Sequence, residues 1–254
     1  MQYLDDANRD ELSAALLVAR ILDASVDETW VRGELAALRD RFISRFAQLI
    51  DAAALVEFMR GEGFAAADAP QIIEASRIDR VLRSHRGIPI SLSIPYLMVG
   101  RALGMRTYGI NFPGHFLLSA NDVVIDPLNA TILGPEDVTR RLAEANLSHL
   151  GDAALAPASP DDIAVRMLNN VKATRAGGGD YVAALALIDC QLLLAADHGP
   201  LHLERAELWF RLGDPGAAAS VLEDAKRQLA GTRWEAEIDR RLQRLARRPR
   251  STIH

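Results

Sequence analysis

The sequence is short of cysteine: Cys190 is the only one in 254 residues. That count excludes an intramolecular disulfide and a thiolate metal cluster. Aromatic residues make up only 6%, while alanine and leucine dominate, which favours helices over a β-rich sandwich. No run reaches the roughly 18 apolar residues of a membrane span. The nearest, Ile88 to Gly100, is broken by Pro89, Ser91, Ser93 and Pro95. Excess positive charge is absent too: 29 Lys and Arg against 34 Asp and Glu leave a net charge of -5, which argues against a nucleic-acid partner. The first residues, Met1 to Asp6, are acidic where a secretory signal is basic and then apolar. A cytoplasmic protein with no membrane partner is expected.

What is present fits a folded chain. Hydrophobic residues at 49% and charged residues at 25% are ordinary for a globular protein. At roughly 150 residues per domain, the length allows one large domain or two small ones. A chain this long buries about 70–75% of its unfolded surface, so neither metal nor cofactor is needed to hold it.

Ala7 to Arg60 carries apolar residues at helical steps, through Leu12, Leu16, Leu35, Leu38, Phe42 and Phe46. Ser25 or Asp27 suits the start of the second helix, and Gly61-Glu-Gly63 ends the third. Gln71 to Leu82 is again helical. Gly87 to Ser91 is a turn into a helix over Ile94–Leu103, stopped by Gly104. Pro95 belongs in that helix's first turn, which makes Ser93 its cap. Three strand-like runs follow, Arg106–Phe112, His115–Ala120 and Val123–Ile125, with Pro113-Gly114 and Asn121-Asp122 as turns. Pro135–Ala145 reads as a helix, and Gly151–Pro160 as a Gly, Ala, Pro and Ser-rich linker. The expected domains are 1–150, the linker 151–160, and 161–254.

The last segment repeats. Gly179-Asp180 recurs as Gly213-Asp214, Ala183-Ala184 as Ala217-Ala218, and Leu187-Ile188 as Val221-Leu222. The offset is about 34 residues, the period of tetratricopeptide repeats, in which a turn joins two antiparallel helices packed through small residues. The basic end, Arg240 to Arg250, reads as a solvated face and tail.

Of the six histidines, His115 has a chemical context, because the strand-like run that it opens is followed by Val123 to Asp126. Adjacent antiparallel strands bring such positions together, and a carboxylate there would fix the imidazole tautomer. Ser91 and Ser93, at a helix N-terminus, are the hydroxyls that could complete a triad. Each also has an ordinary role: the serines as helix caps, His115 bound to a backbone carbonyl, Asp126 closing an Asx turn.

Gly87-Ile-Pro-Ile-Ser-Leu-Ser93, Gly100-Arg-Ala-Leu-Gly104, Gly109-Ile-Asn-Phe-Pro-Gly-His-Phe-Leu-Leu118 and Ile125-Asp-Pro-Leu-Asn129 resemble the SirB-like proteins. That resemblance implies an α+β chain, mostly helical. Its small antiparallel sheet would sit in a transglutaminase-like, papain-like core, followed by tetratricopeptide-type helical repeats. Active enzymes of this fold use Cys, His and Asp, and the resemblance assigns His115 and Asp126 to the last two places. The cysteine place falls within Ile88–Ser91, where no cysteine stands and Ser91 is the nearest hydroxyl. Cys190 lies far away in the repeats, where packing is its expected role.

Two functions follow. One is a pseudoenzyme that binds a peptide in the cleft and a protein partner on the repeats. The alternative is a hydrolase or acyl-transfer enzyme in which Ser91 attacks, His115 takes its proton and Asp126 orients His115.

Overall fold

In the computed structural model, residues 2–5, 8–46, 49–68 and 71–246 are described. The chain divides into two compact units, Met1–Asn170 and Val171–His254.

The first unit opens with α1 (Gln2–Asp5), α2 (Glu11–Leu22), α3 (Glu28–Phe46) and α4 (Ala52–Gly61). Aspartates set three of the starts. The amides of Ser13, Trp30 and Ala54 donate to Asp10, Asp27 and Asp51 at 2.8, 3.0 and 2.8 Å. Each such cap contributes about 1 kcal/mol. Of the two residues suited to start the second helix, Asp27 is therefore the one that does so, while Ser25 bonds to Asp23. The inner faces bury Leu16, Leu38, Phe42 and Phe58, with the Phe42 and Phe58 rings edge to face at 5.3 Å.

Next come β1 (Ala65–Ala66), α5 (Ile72–Ala75), α6 (Ile78–Ser84) and β2 (Arg86–Gly87). The two short strands pair in parallel, Ala65 opposite Arg86. Helix α7 (Pro89–Ala102) begins at Pro89 rather than near Ile94, so Pro95 lies inside it and Ser93 does not cap it. Burial explains the difference. Ile90, Leu92, Ile94, Tyr96 and Leu97 are all at most 2% exposed. Burying each gains about 1.5–3 kcal/mol, against roughly 3 kcal/mol for one internal proline. The helix tolerates Pro95.

Strands β3 (Thr107–Ile110), β4 (Leu117–Ala120), β5 (Val123–Asp126) and β6 (Thr131–Leu133) form an antiparallel sheet in sequence order. Asn121 and Asp122 turn the middle hairpin with φ of +49° and +65°, the left-handed pair that a tight hairpin needs. Side-chain alternation gives the sheet two faces. Thr107, Ala120, Leu118 and Ile125 share one, and Thr107 Oγ1 donates to the Leu97 carbonyl of α7 at 3.0 Å. Tyr108, Ile110, Leu117 and Val124 share the other, packed with Val138 and Leu142 of α8 (Pro135–Glu144).

The segment expected to be a linker is docked. Ser148–Leu155 forms 3-10 turns, with Leu150, Ala154 and Leu155 in the same apolar cluster as α8. Pro157 bridges to Ile110, and the Ala158 amide donates to Gly109 at 2.8 Å. Gly, Ala and Pro here make close backbone contact rather than slack. The division between units falls further on, inside α9 (Pro160–Gly177).

The second unit holds α10 (Tyr181–Leu194), α11 (Gly199–Arg211), α12 (Pro215–Gln228) and α13 (Glu235–Ala246). The 34-residue recurrence is structural as well as sequential. Gly179 and Gly213 both take positive φ, +82° and +85°. Asp180 and Asp214 then cap α10 and α12 through the amides of Ala183 and Ala217 at 3.1 and 2.8 Å. Ala184 and Ala218 are both fully buried. A leucine at either position has no space to enter. Ala184→Leu and Ala218→Leu should each destabilise the chain by about 1–3 kcal/mol in urea unfolding, and more together. A double variant as stable as the parent would contradict this packing.

Candidate functional site

The residues expected to form a triad are spread across the core without meeting. Ser91 sits at the third position of α7, fully buried. Its Oγ donates to the Ala75 carbonyl at 2.5 Å and lies 3.1 Å from both the Ile88 amide, from which it accepts, and the Ile88 carbonyl. Gly87 makes this possible, since a Cβ there would come within 2.8 Å of that oxygen. Ser93 is equally buried and donates to the Pro89 carbonyl at 2.8 Å. Both hydroxyls serve the backbone.

His115 lies in an exposed bend ahead of β4. Its amide donates to Phe112 at 3.1 Å, its carbonyl accepts from Arg166 of α9 at 2.5 Å, and its ring leans on Phe112 with centroids 6.4 Å apart. Among the described residues, no side chain hydrogen-bonds to the imidazole. Arg166 also bonds to Asn111 and to the Phe112 carbonyl, so one guanidinium braces the whole bend. Burial pulls the Arg166 pKa below its ordinary value. Nothing in the sequence separates Arg166 from the other arginines.

Asp126 closes β5 and is 3% exposed. The Leu128 amide donates to Oδ1 at 3.0 Å, Asn129 Nδ2 to Oδ2 at 3.0 Å and Arg141 of α8 to Oδ2 at 2.8 Å. The carboxylate thus folds the β5–β6 turn and anchors α8. Burial pushes its pKa up, but the Arg141 and Asn129 hydrogen bonds outweigh this and hold it below the ordinary carboxylate value. The reason that it misses Ser91 is parity. Asp126 follows Ile125, so its side chain emerges on the α8 face of the sheet, opposite the face that α7 covers.

Polar atoms are left over around this core. The Tyr96 hydroxyl, the Ser119 hydroxyl and one Arg141 nitrogen are buried without hydrogen-bond partners. Burial pushes the Tyr96 pKa far above the ordinary phenol range, with Arg60 lowering it and Asp126 raising it. Cys190, on α10, is half-buried, and its thiol is pushed up by burial and by Asp189. No group of three metal-ligating side chains occurs among the described residues, and no helix of theirs is long and apolar enough to cross a membrane.

Helix α7 packs on the antiparallel sheet, with His115 in the bend ahead of β4 and Asp126 at the end of β5. The Transglutaminase-like superfamily profile matches residues 27–169, more than half of the chain, and the chain belongs to that superfamily. It is similar to a UPF0162 protein of Xylella fastidiosa strain Temecula1, 29% identical over 245 residues that cover 89% of this chain and 85% of the relative. A UPF0162 protein of Pseudomonas aeruginosa is 31% identical over 180 residues, covering 67% of this chain and 65% of the relative. F-box only protein 21 of Mus musculus is 28% identical over 146 residues, 53% of this chain but 23% of that protein. No solved structure matches significantly.

The Asp126–Arg141 pair is the testable part of this geometry. A carboxylate with a depressed folded-state pKa adds stability above its unfolded pKa, and loses it as pH falls through the folded value. Asp126→Asn should therefore cost about 3 kcal/mol at pH 7, the range for removing one partner of a buried pair. The gap from the parent should close below about pH 4, where the unfolded carboxylate begins to bind its proton. Urea unfolding at pH 7 and pH 3 measures both; a gap independent of pH would show that the carboxylate charge is not what Arg141 holds.

Proposed function

We propose that this chain is a SirB-like, peptide- or protein-binding pseudoenzyme, a transglutaminase-like core without the family cysteine joined to tetratricopeptide-type helical repeats. The observation that carries the reading is the Ser91 hydroxyl, fully buried and hydrogen-bonded to Ala75 and Ile88. A nucleophile must be open to substrate and within reach of its base. Ser91 is engaged by backbone, and Asp126 is engaged by Arg141. His115 is left as an exposed imidazole on a braced bend, a group suited to contacting a bound chain.

The recurrence of the Gly179-Asp180 and Gly213-Asp214 turns, each followed by a capped helix with a buried alanine, supports the repeat reading for the second unit. Stacked helix pairs of this kind offer a face for a protein partner. The resemblance and the repeats support a protein or peptide as partner, and the composition and acidic first residues support a role in the cytoplasm.

A fluorophosphonate probe, which labels activated serines, distinguishes this from hydrolysis or acyl transfer. The parent protein should remain unlabelled at Ser91 by intact mass and peptide mapping. Ser91→Ala should lower stability by about 1–3 kcal/mol, because it removes the buried hydroxyl that bonds the Ile88 amide and the Ala75 carbonyl and leaves those two only their long 3.4 Å contact. Labelling of the parent at Ser91, absent in His115→Ala, would establish the enzyme instead.

A further inference from the structure

The arginines of α6 are spaced by three: Arg77, Arg80, Arg83 and, just past its end, Arg86. Arg77 is buried and committed to Asp79 and Asp23, each at 2.9 Å. The other three line a recess of about 230 Å³ together with Glu74, Ala75 and Ser84. We propose that this recess binds a phosphate group, free or as a monoester.

The charge balance is the first argument. Glu74 is the one carboxylate among the described residues lining the recess, against three guanidinium groups. Glu74 pairs with Arg80 at 3.3 Å. Among the described residues, Arg83 and Arg86 have no carboxylate partner: Arg83 stacks over the Trp30 ring at 3.7 Å, and Arg86 donates to the Gly63 carbonyl at 2.7 Å. Arg80 is shared between Glu74 and, at 3.8 Å, Asp79, and the two remaining positive charges, Arg83 and Arg86, match the dianion of a phosphate monoester, whose second pKa is about 6.

The second argument is preorganisation. Stacking on an indole uses the face of a guanidinium and leaves its in-plane N–H donors free. The Gly63 carbonyl takes one Arg86 nitrogen and leaves others. Two guanidinium groups are thus oriented before any ligand arrives, so little side-chain freedom is lost on binding. Planar donors of this kind meet phosphate oxygens in pairs. The same recess is walled by Ala75, whose carbonyl holds the Ser91 hydroxyl. The site nevertheless uses neither His115 nor Asp126, and it stands whether or not the core binds peptide.

The test is a titration of the full chain with inorganic phosphate at pH 7.5 and constant ionic strength, read by the arginine Nε–H resonances. Saturable shifts are expected at Arg80, Arg83 and Arg86. The double variant Arg83→Gln, Arg86→Gln should bind about tenfold more weakly or worse, a loss of about 1.4 kcal/mol. Arg106→Gln, an exposed arginine paired with Asp122, should stay within about twofold of the parent. Phosphoserine binding more tightly than inorganic phosphate assigns a monoester; the reverse assigns the free ion. Non-saturating shifts spread over all exposed arginines, unchanged affinity in a folded double variant, or succinate binding as tightly as phosphate would each overturn the proposal.

Discussion

Helix α7 is surrounded, and most of the first unit follows from keeping it so. Its buried side chains stand on all sides, from Ile90 through Val99, so every polar group that it carries must find a partner inside the protein. Pro89 and Pro95 bring no amide hydrogens, and the Ser91 hydroxyl sits beside the Ile88 amide, which has no partner within the helix. Ser91 answers by bonding the Ile88 amide and the Ala75 carbonyl, and Ser93 by bonding Pro89. Ser91 is thereby a joint between α5 and α7. Gly87 is part of that joint, because the Ser91 oxygen occupies the space that a side chain would need.

The sheet repeats the same logic on its far side. A strand exposes alternate residues to alternate faces, so the neighbour of a core residue on one face belongs to the other. Ile125 packs on the α7 side with Leu118, and Asp126 must then leave toward α8. A buried carboxylate without a cation there would be costly, and Arg141 meets it at 2.8 Å. Two of the three expected triad members are thus fixed by structural demands unrelated to one another: backbone satisfaction at Ser91 and charge compensation at Asp126.

Much of this was legible in the sequence, and the parts that were not share a cause. Local signals held well: the cap at Asp27, the Gly179-Asp180 and Gly213-Asp214 turns, the Asn121-Asp122 hairpin and the start of α8 at Pro135 all act within a few residues of themselves. Long-range demands were hidden. The start of α7 depends on burial against α2, α3 and the sheet, which no window around Pro95 contains. The pairing of β1 with β2 joins residues about twenty positions apart through two hydrogen-bonded steps, and leaves no alternation to detect. The stretch from Gly151 to Pro160 looked like a linker, because the glycine and prolines that it carries on its way past β3 are those that loosen a chain elsewhere. At the site, the residue types and their order were readable from the resemblance. Arg141 and Arg166, which decide what Asp126 and the His115 bend can do, were not, because they arrive from separate helices.

The same contrast bears on what the core leaves room for at Ser91 and Asp126. A cysteine in place of Ser91 would be confined, since the Sγ would be larger than the oxygen that it replaces and would face Ala75, Ile88 and Gly87 in a closed space. A thiol sealed from solvent is also held neutral by burial, so its nucleophilic form is suppressed as well. Freeing Asp126 for His115 would in turn strand Arg141, which already has one buried nitrogen without a partner. Each step toward a working triad therefore opposes an interaction that stabilises the fold. The His115 imidazole on its braced bend, and Arg83 and Arg86 beside the recess of α6, have no carboxylate partner among the described residues.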